Sequence, residues 1–169
     1  MTHQQKNYHQ NHMEAYIYKL LNEMNITHPL QLNMFDISDK LGVYLHLYEG
    51  SSRGIIDGDE KYIFLNKNLS PPELQQDFGH ELHHVLHHAG DQRKMHPLFI
   101  ELQERQSNSF MYEFCVPTYM LQSVNLPLDK TDAIKMIVAL FNVTPIFAAE
   151  RLNRYYQRSF ANRIVYGGF

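Results

Sequence analysis

The sequence predicts an α+β fold: a small antiparallel sheet of about three strands, packed by helices and followed by a helical carboxy-terminal third. Three observations carry that prediction. β-rich runs cluster between residues 43 and 65 with Gly-containing turns between them, helical periodicity occupies the chain on both sides, and 44% of the 169 residues are hydrophobic. A chain of this length supports one core, so residues 1–169 read as a single domain.

The elements follow in order. Residues 1–12 form a polar, flexible tail rich in His, Gln and Asn. Over 13–24, Ala15, Ile17, Leu20, Leu21 and Met24 fall at helical spacing, and Asn25, Thr27, His28 and Pro29 stop the helix. A short amphipathic helix at 34–41 closes at Gly42, and the run 43–48 reads as a strand. Gly50, Ser51 and Ser52 make a turn. Strands at 54–57 and 62–65 are separated by Gly58 and Asp59. Ser70, Pro71, Pro72 and Glu73 combine a cap, first-turn prolines and a carboxylate at the positive end of the helix dipole, so a helix runs from about residue 71 to 89 and ends at Gly90. His96 and Pro97 open another helix that reaches Val116 before Pro117. Helices at 131–141 and 145–158, joined by Asn142, Val143 and Thr144, form a pair within 129–160.

The formal net charge of −3 gives no basic excess of the kind that announces nucleic acid or an acidic membrane. The amino terminus lacks the apolar core of a signal peptide and no stretch approaches a membrane span, so a cytoplasmic protein with no membrane partner is expected. Cys115, the single cysteine, cannot form an internal disulfide; flanked by Phe114 and Val116, it reads as a buried core thiol.

One motif carries chemistry. His80, Glu81, Leu82, His83 and His84 fit the H-E-x-x-H pattern of a zincin-like active-site helix, one of the two zinc-site helices placed within 70–117. Residues four apart share a helical face, so two imidazoles can hold one ion while Glu81 stands beside a vacant coordination position. A divalent metal there lowers the pKa of its water towards about 7, and the glutamate takes the proton and later returns it to the leaving amine. Leu74, Phe78, Leu82 and Val85 stripe the opposite side of the helix and give it a core to pack on. The competing reading is a histidine-rich solvated helix, because His84 with His88 or His83 with His87 also satisfies spacing four. Only His80 and His84 come with a glutamate directly after the first histidine.

Two histidines leave an ion loosely held, so a third ligand is required. Glu104 on the next helix can complete a two-histidine, one-glutamate site, with Asn108 four residues on to orient a ligand by hydrogen bonding. Glu101, one turn earlier, competes for the role, and Glu101, Glu104 and Arg105 could instead form an exposed charged face. This donor set suits one zinc ion per chain, with manganese or iron as other occupants.

These segments resemble the ImmA/IrrE type metallopeptidases of mobile elements and stress regulators. The likeness runs through Tyr62 to Asn66, Leu69 to Pro71, Phe78 to His87, Glu104 to Phe110 and Val116 with Pro117, and it continues into Leu140 to Pro145 with Arg151 and Leu152. By that match His80, His84 and Glu104 would be zinc ligands and Glu81 the catalytic acid and base. The family usually has glycine at the position of His83 and alanine at those of Ser107 and Met111. An imidazole at 83 either fills space beside the sheet or offers the metal another ligand. Members on phages and integrative elements cleave the helix-turn-helix repressor of their element, so the resemblance implies a repressor protein as substrate.

Two other classes compete. In a DNA-binding regulator, residues 133–155 would be two short helices around a turn, with Arg151, Arg154, Arg158 and Arg163 supplying positive charge. The second helix, however, begins with Pro145, Ile146, Phe147, Ala148 and Ala149, an apolar entry where base-reading side chains belong, so no direct nucleic-acid binding is expected. In a regulator whose metal is structural or vestigial, four ligands with cysteines would be usual, whereas this chain offers one cysteine and leaves Glu81 without a purpose.

Overall fold

A computed structural model describes residues 8–87 and 96–166, with side chains as far as residue 161. The expected helix end at Gly90, the alternative ligand His88, the side chain of Arg163 and the first seven residues of the polar tail lie outside the described residues. Helix α1 spans His12–Glu23 and is opened by a reciprocal cap: the Glu14 amide donates to Asn11 while the Asn11 amide donates to Glu14. Residues 8–11, placed by composition in the tail, are tied down here, since Tyr8 donates to Glu14 and stacks on Tyr155. A 3-10 turn at Pro29–Gln31 precedes α2, Met34–Leu41, which ends as expected at Gly42 in the left-handed region, φ 64°. Strands β1, Val43–Tyr48, β2, Arg53–Asp57, and β3, Glu60–Asn66, then form the three-stranded sheet.

The pairing corrects the expected all-antiparallel sheet. Its order is β1-β3-β2; β2 runs antiparallel to β3, but β1 runs parallel to it. Burial explains the order. β3 carries Ile63 and Leu65, both with no exposed surface, and takes the centre, whereas every β2 residue but Gly54 is exposed and the strand sits at an edge. The chain therefore passes from β1 to the far edge and returns into the middle, which leaves the first and last strands pointing the same way.

Helix α3, Pro71–His87, lies across the inner face of this sheet and buries Phe78, Leu82 and Val85. Against it packs α4, Pro97–Cys115, running antiparallel, as the pairings of Gln75 with Cys115 and of His83 with Ser107 require. The crossing is tight at Gly79, where a Cβ would meet Phe114 and Cys115 at 3.2 Å. Phe78, Phe110 and Phe114 fill the seam, each completely buried, and truncating any one of them to Ala removes about 3–5 kcal/mol.

A short helix α5, Thr118–Ser123, leads to α6, Lys130–Phe141, and α7, Pro145–Tyr166. The last two are bent by 112° at a corner made by Asn142 in the left-handed region, φ 50°. α7 is anchored from within: Arg151 donates to the Val116 carbonyl at 2.9 Å, to Glu113 at 2.6 Å and to the Thr118 hydroxyl at 2.8 Å. One arginine of the expected basic stripe is thus spent inside the protein, and Arg154 is paired with Glu150 at 2.7 Å and lies over the Tyr112 ring. Among the described residues no single helix is long and apolar enough to cross a membrane.

Candidate metal centre

The amphipathic pattern of α3 decides which side chains face the sheet and which are left over. With Phe78, Leu82 and Val85 turned inward, His80 and His84 emerge one turn apart on the flank that meets α4. Their Nε2 atoms stand 3.0 Å apart. Glu104, on the third turn of α4, faces them across the helix seam, one carboxylate oxygen 3.3 Å from His80 Nε2 and the other 3.4 Å from His84 Nε2. Three ligands held at about 2.0–2.1 Å around a tetrahedral ion lie about 3.3 Å from one another, so the spacing fits a single small divalent cation. Among the described residues this is the one group of three such side chains close enough to hold a metal ion. The two imidazoles are largely enclosed, and the carboxylate is 41% exposed, which leaves a solvent-facing side.

Glu81 sits differently. Its carboxylate turns towards the sheet and accepts a 2.7 Å hydrogen bond from the backbone N–H of Gly54 on β2. Burial pushes its pKa up, against the pull of His80 and of the Gly54 amide.

The remaining candidates are placed as follows. Glu101 pairs with Arg105 at 3.8 Å on the exposed side of α4, with both side chains more than 60% exposed, so it is not at the histidine pair. Asn108 lies one turn beyond Glu104 and is exposed. His83 is buried and is not part of the His80, His84 and Glu104 cluster. It points into the seam with α4, where Nδ1 meets the Ser107 hydroxyl at 3.0 Å and the ring packs against Phe110 at 4.9 Å. His83 and Ser107 thus meet as a polar pair across the seam. Gly54 is the site residue that sequence reasoning passed over; the available signal was a glycine placed inside a β-rich run.

A helix-borne histidine pair, an adjacent half-buried glutamate and a carboxylate from the next helix, set beside the edge of a small mixed sheet, define a metallopeptidase-like centre. The chain belongs to the Peptidase_M78 family, the IrrE N-terminal-like domain, which matches residues 32–153. It is similar to the phage-like element PBSX protein XkdA of Bacillus subtilis (strain 168), 41% identical over 160 residues that cover 92% of this chain and 80% of that protein. It is also similar to the uncharacterized protein YqaB of the same strain, 35% identical over 151 residues covering 89% and 88% of the two chains. Members of this metallopeptidase family are typically metal-dependent, and the His80, His84 and Glu104 cluster is a possible site for that metal.

Proposed function

We propose that this chain is a zinc-dependent endopeptidase of a phage or mobile element that cleaves the element's helix-turn-helix repressor in the cytoplasm, as a single domain of residues 1–169. The observation that carries the reading is the convergence of His80 Nε2, His84 Nε2 and the Glu104 carboxylate within 3.0–3.4 Å of one another. These three side chains hold the ion. Family membership and the phage-element relative support the substrate class.

A bound zinc ion supplies Lewis acidity, which acidifies a water and polarises a carbonyl. The residues of the chain do the rest. Glu81 takes a proton from the attacking water on its carboxylate as the new C–O bond forms, and then delivers it to the amine nitrogen as the peptide C–N bond breaks. His80 and His84 are fixed by α3, and Glu104 by α4, so the ligand geometry is set before substrate arrives. Asn108, exposed one turn along α4 from Glu104, is the candidate to hydrogen-bond a ligand or the substrate backbone.

Metal content per chain, measured by plasma mass spectrometry, tests the site. About one zinc per chain is expected, lost in the double variant His80→Ala with His84→Ala and weakened in Glu104→Ala. Equal metal content in all three folded proteins would remove these residues as ligands. Glu81→Gln is expected to keep the ion and the fold while cleavage of the repressor disappears; a variant that still cuts would show that the base lies elsewhere.

A further inference from the structure

We infer that Gly54 is a positioning residue for this reaction: its backbone N–H on the edge of β2 clamps one oxygen of Glu81, and only a residue without a side chain can bring that amide close enough. The inference rests on the proposed role of Glu81 as base.

Three observations carry it. Gly54 pairs in register with Ile63 of β3, yet its N–H donates out of the sheet to Glu81 Oε2 at 2.7 Å, across 27 residues of sequence. At this distance, with a charged acceptor, the bond belongs to the stronger class. Secondly, no room exists for a substitute. A Cβ on Gly54 would lie 2.7 Å from Val85 Cγ1, 3.2 Å from the Glu81 carbonyl oxygen and 3.6 Å from Oε2 itself. Thirdly, the glycine is not there for its backbone conformation, because it falls outside the left-handed region that Gly42 and Gly58 occupy. Close approach of β2 to α3 is what demands it.

The mechanical consequence is specific. A glutamate side chain on a helix has three rotatable bonds, and the packing of α3 alone does not fix the last of them. The Gly54 amide does. With Oε2 engaged, Oε1 is the oxygen left open among the described residues, and the proton taken from water is assigned to it. Gly54 thereby acts through Glu81, and displacement of the strand by a fraction of an ångström misplaces the base without touching the three metal-binding side chains.

Two measurements test this, one of them independent of cleavage. In 15N-labelled protein, the Gly54 amide is expected to be protected from hydrogen exchange and shifted downfield, and Glu81→Ala should abolish both, with Ile63 and Leu65 amides unchanged. A Gly54 amide that exchanges equally fast in wild type and variant would overturn the contact. For function, Gly54→Ala, Val85→Ala and the pair together are compared on the purified repressor encoded by the same mobile element. Gly54→Ala should lose about a hundredfold in kcat with KM and zinc content retained. Adding Val85→Ala removes the 2.7 Å clash and should recover most of that loss. A Gly54→Ala enzyme with unchanged kcat, or one that Val85→Ala fails to rescue, would sink the assignment. If wild type cuts nothing, the repressor reading falls, and the Gly54 amide still decides whether the clamp exists.

Discussion

Arg151 and Glu113 meet at 2.6 Å with both side chains more than nine-tenths buried, and Thr118 adds its N–H at 2.6 Å and its hydroxyl at 2.9 Å to the same carboxylate. Enclosing two charges costs about as much as their attraction returns, so the pair as a whole contributes little; removing one member leaves the other uncompensated. Glu113→Ala is therefore expected to destabilise the fold by about 3–5 kcal/mol, read from denaturant unfolding, and a loss below about 1 kcal/mol would mean that water reaches the guanidinium. Cys115 gives a milder test at the same scale. Its thiol has no exposed surface, donates to the Gln75 carbonyl at 3.4 Å, and is pushed up in pKa by burial, so alkylation should fail in the native protein and proceed on unfolding. The pairing of His80 with His84 was legible in the sequence because helical spacing is local, whereas Glu104, which comes from another helix, stood open against Glu101 and an exposed charged face. His83 was not legible, because its partner Ser107 comes from another helix, and neither was Gly54, whose role resides in a backbone atom.

Helices α3 and α4 carry the candidate metal cluster between them, two side chains on one and one on the other, so their separation controls the third distance. Gly79 sets that separation. It sits next to His80, and its missing Cβ lets Phe114, Cys115 and the Met111 backbone approach. Gly79→Leu should wedge the helices apart, costing about 1–3 kcal/mol of stability from overpacking. Zinc affinity, measured by competition with a chromogenic chelator, should fall together with it. Retained affinity in a destabilised variant would show that Glu104 follows the histidines wherever the seam moves. At this scale the helices were read closely from caps and periodicity, α2 and β1 to the residue. The sheet was read as antiparallel because strand order depends on which strand is buried on both flanks, a tertiary property that alternation within one strand does not encode.

Across the whole molecule, the α1 cap, α4, α5 and α7 are joined by one polar cluster of Glu14, Glu113, Thr118 and Arg151, and the His80, His84 and Glu104 cluster bridges α3 and α4. A ligand that binds only the folded state raises stability by about 2.7 kcal/mol at one hundred times its Kd. For a protein of this size that corresponds to a rise in melting temperature of about 5–10 °C on zinc saturation. Calorimetry with and without a chelator checks it, and coincident melting curves would show that no metal binds the native state. The helical carboxy-terminal third was visible from pattern; the buried cluster was not, because its hydrogen bonds span as many as 104 residues and each member alone looks like a surface polar residue.

The outer face of the sheet has an optical consequence. Tyr44 of β1 and Tyr62 of β3 stack at 5.1 Å, with His46 and Phe64 continuing the row, and the chain has eleven tyrosines and no tryptophan. With no indole to drain the excitation, neighbouring phenols pass it among themselves, and each transfer scrambles polarisation. Emission anisotropy of the unlabelled folded protein should accordingly be low, the sheet pair contributing beside Tyr18 with Tyr119 and Tyr155 with Tyr156, and Tyr62→Phe should raise it by removing the sheet's share.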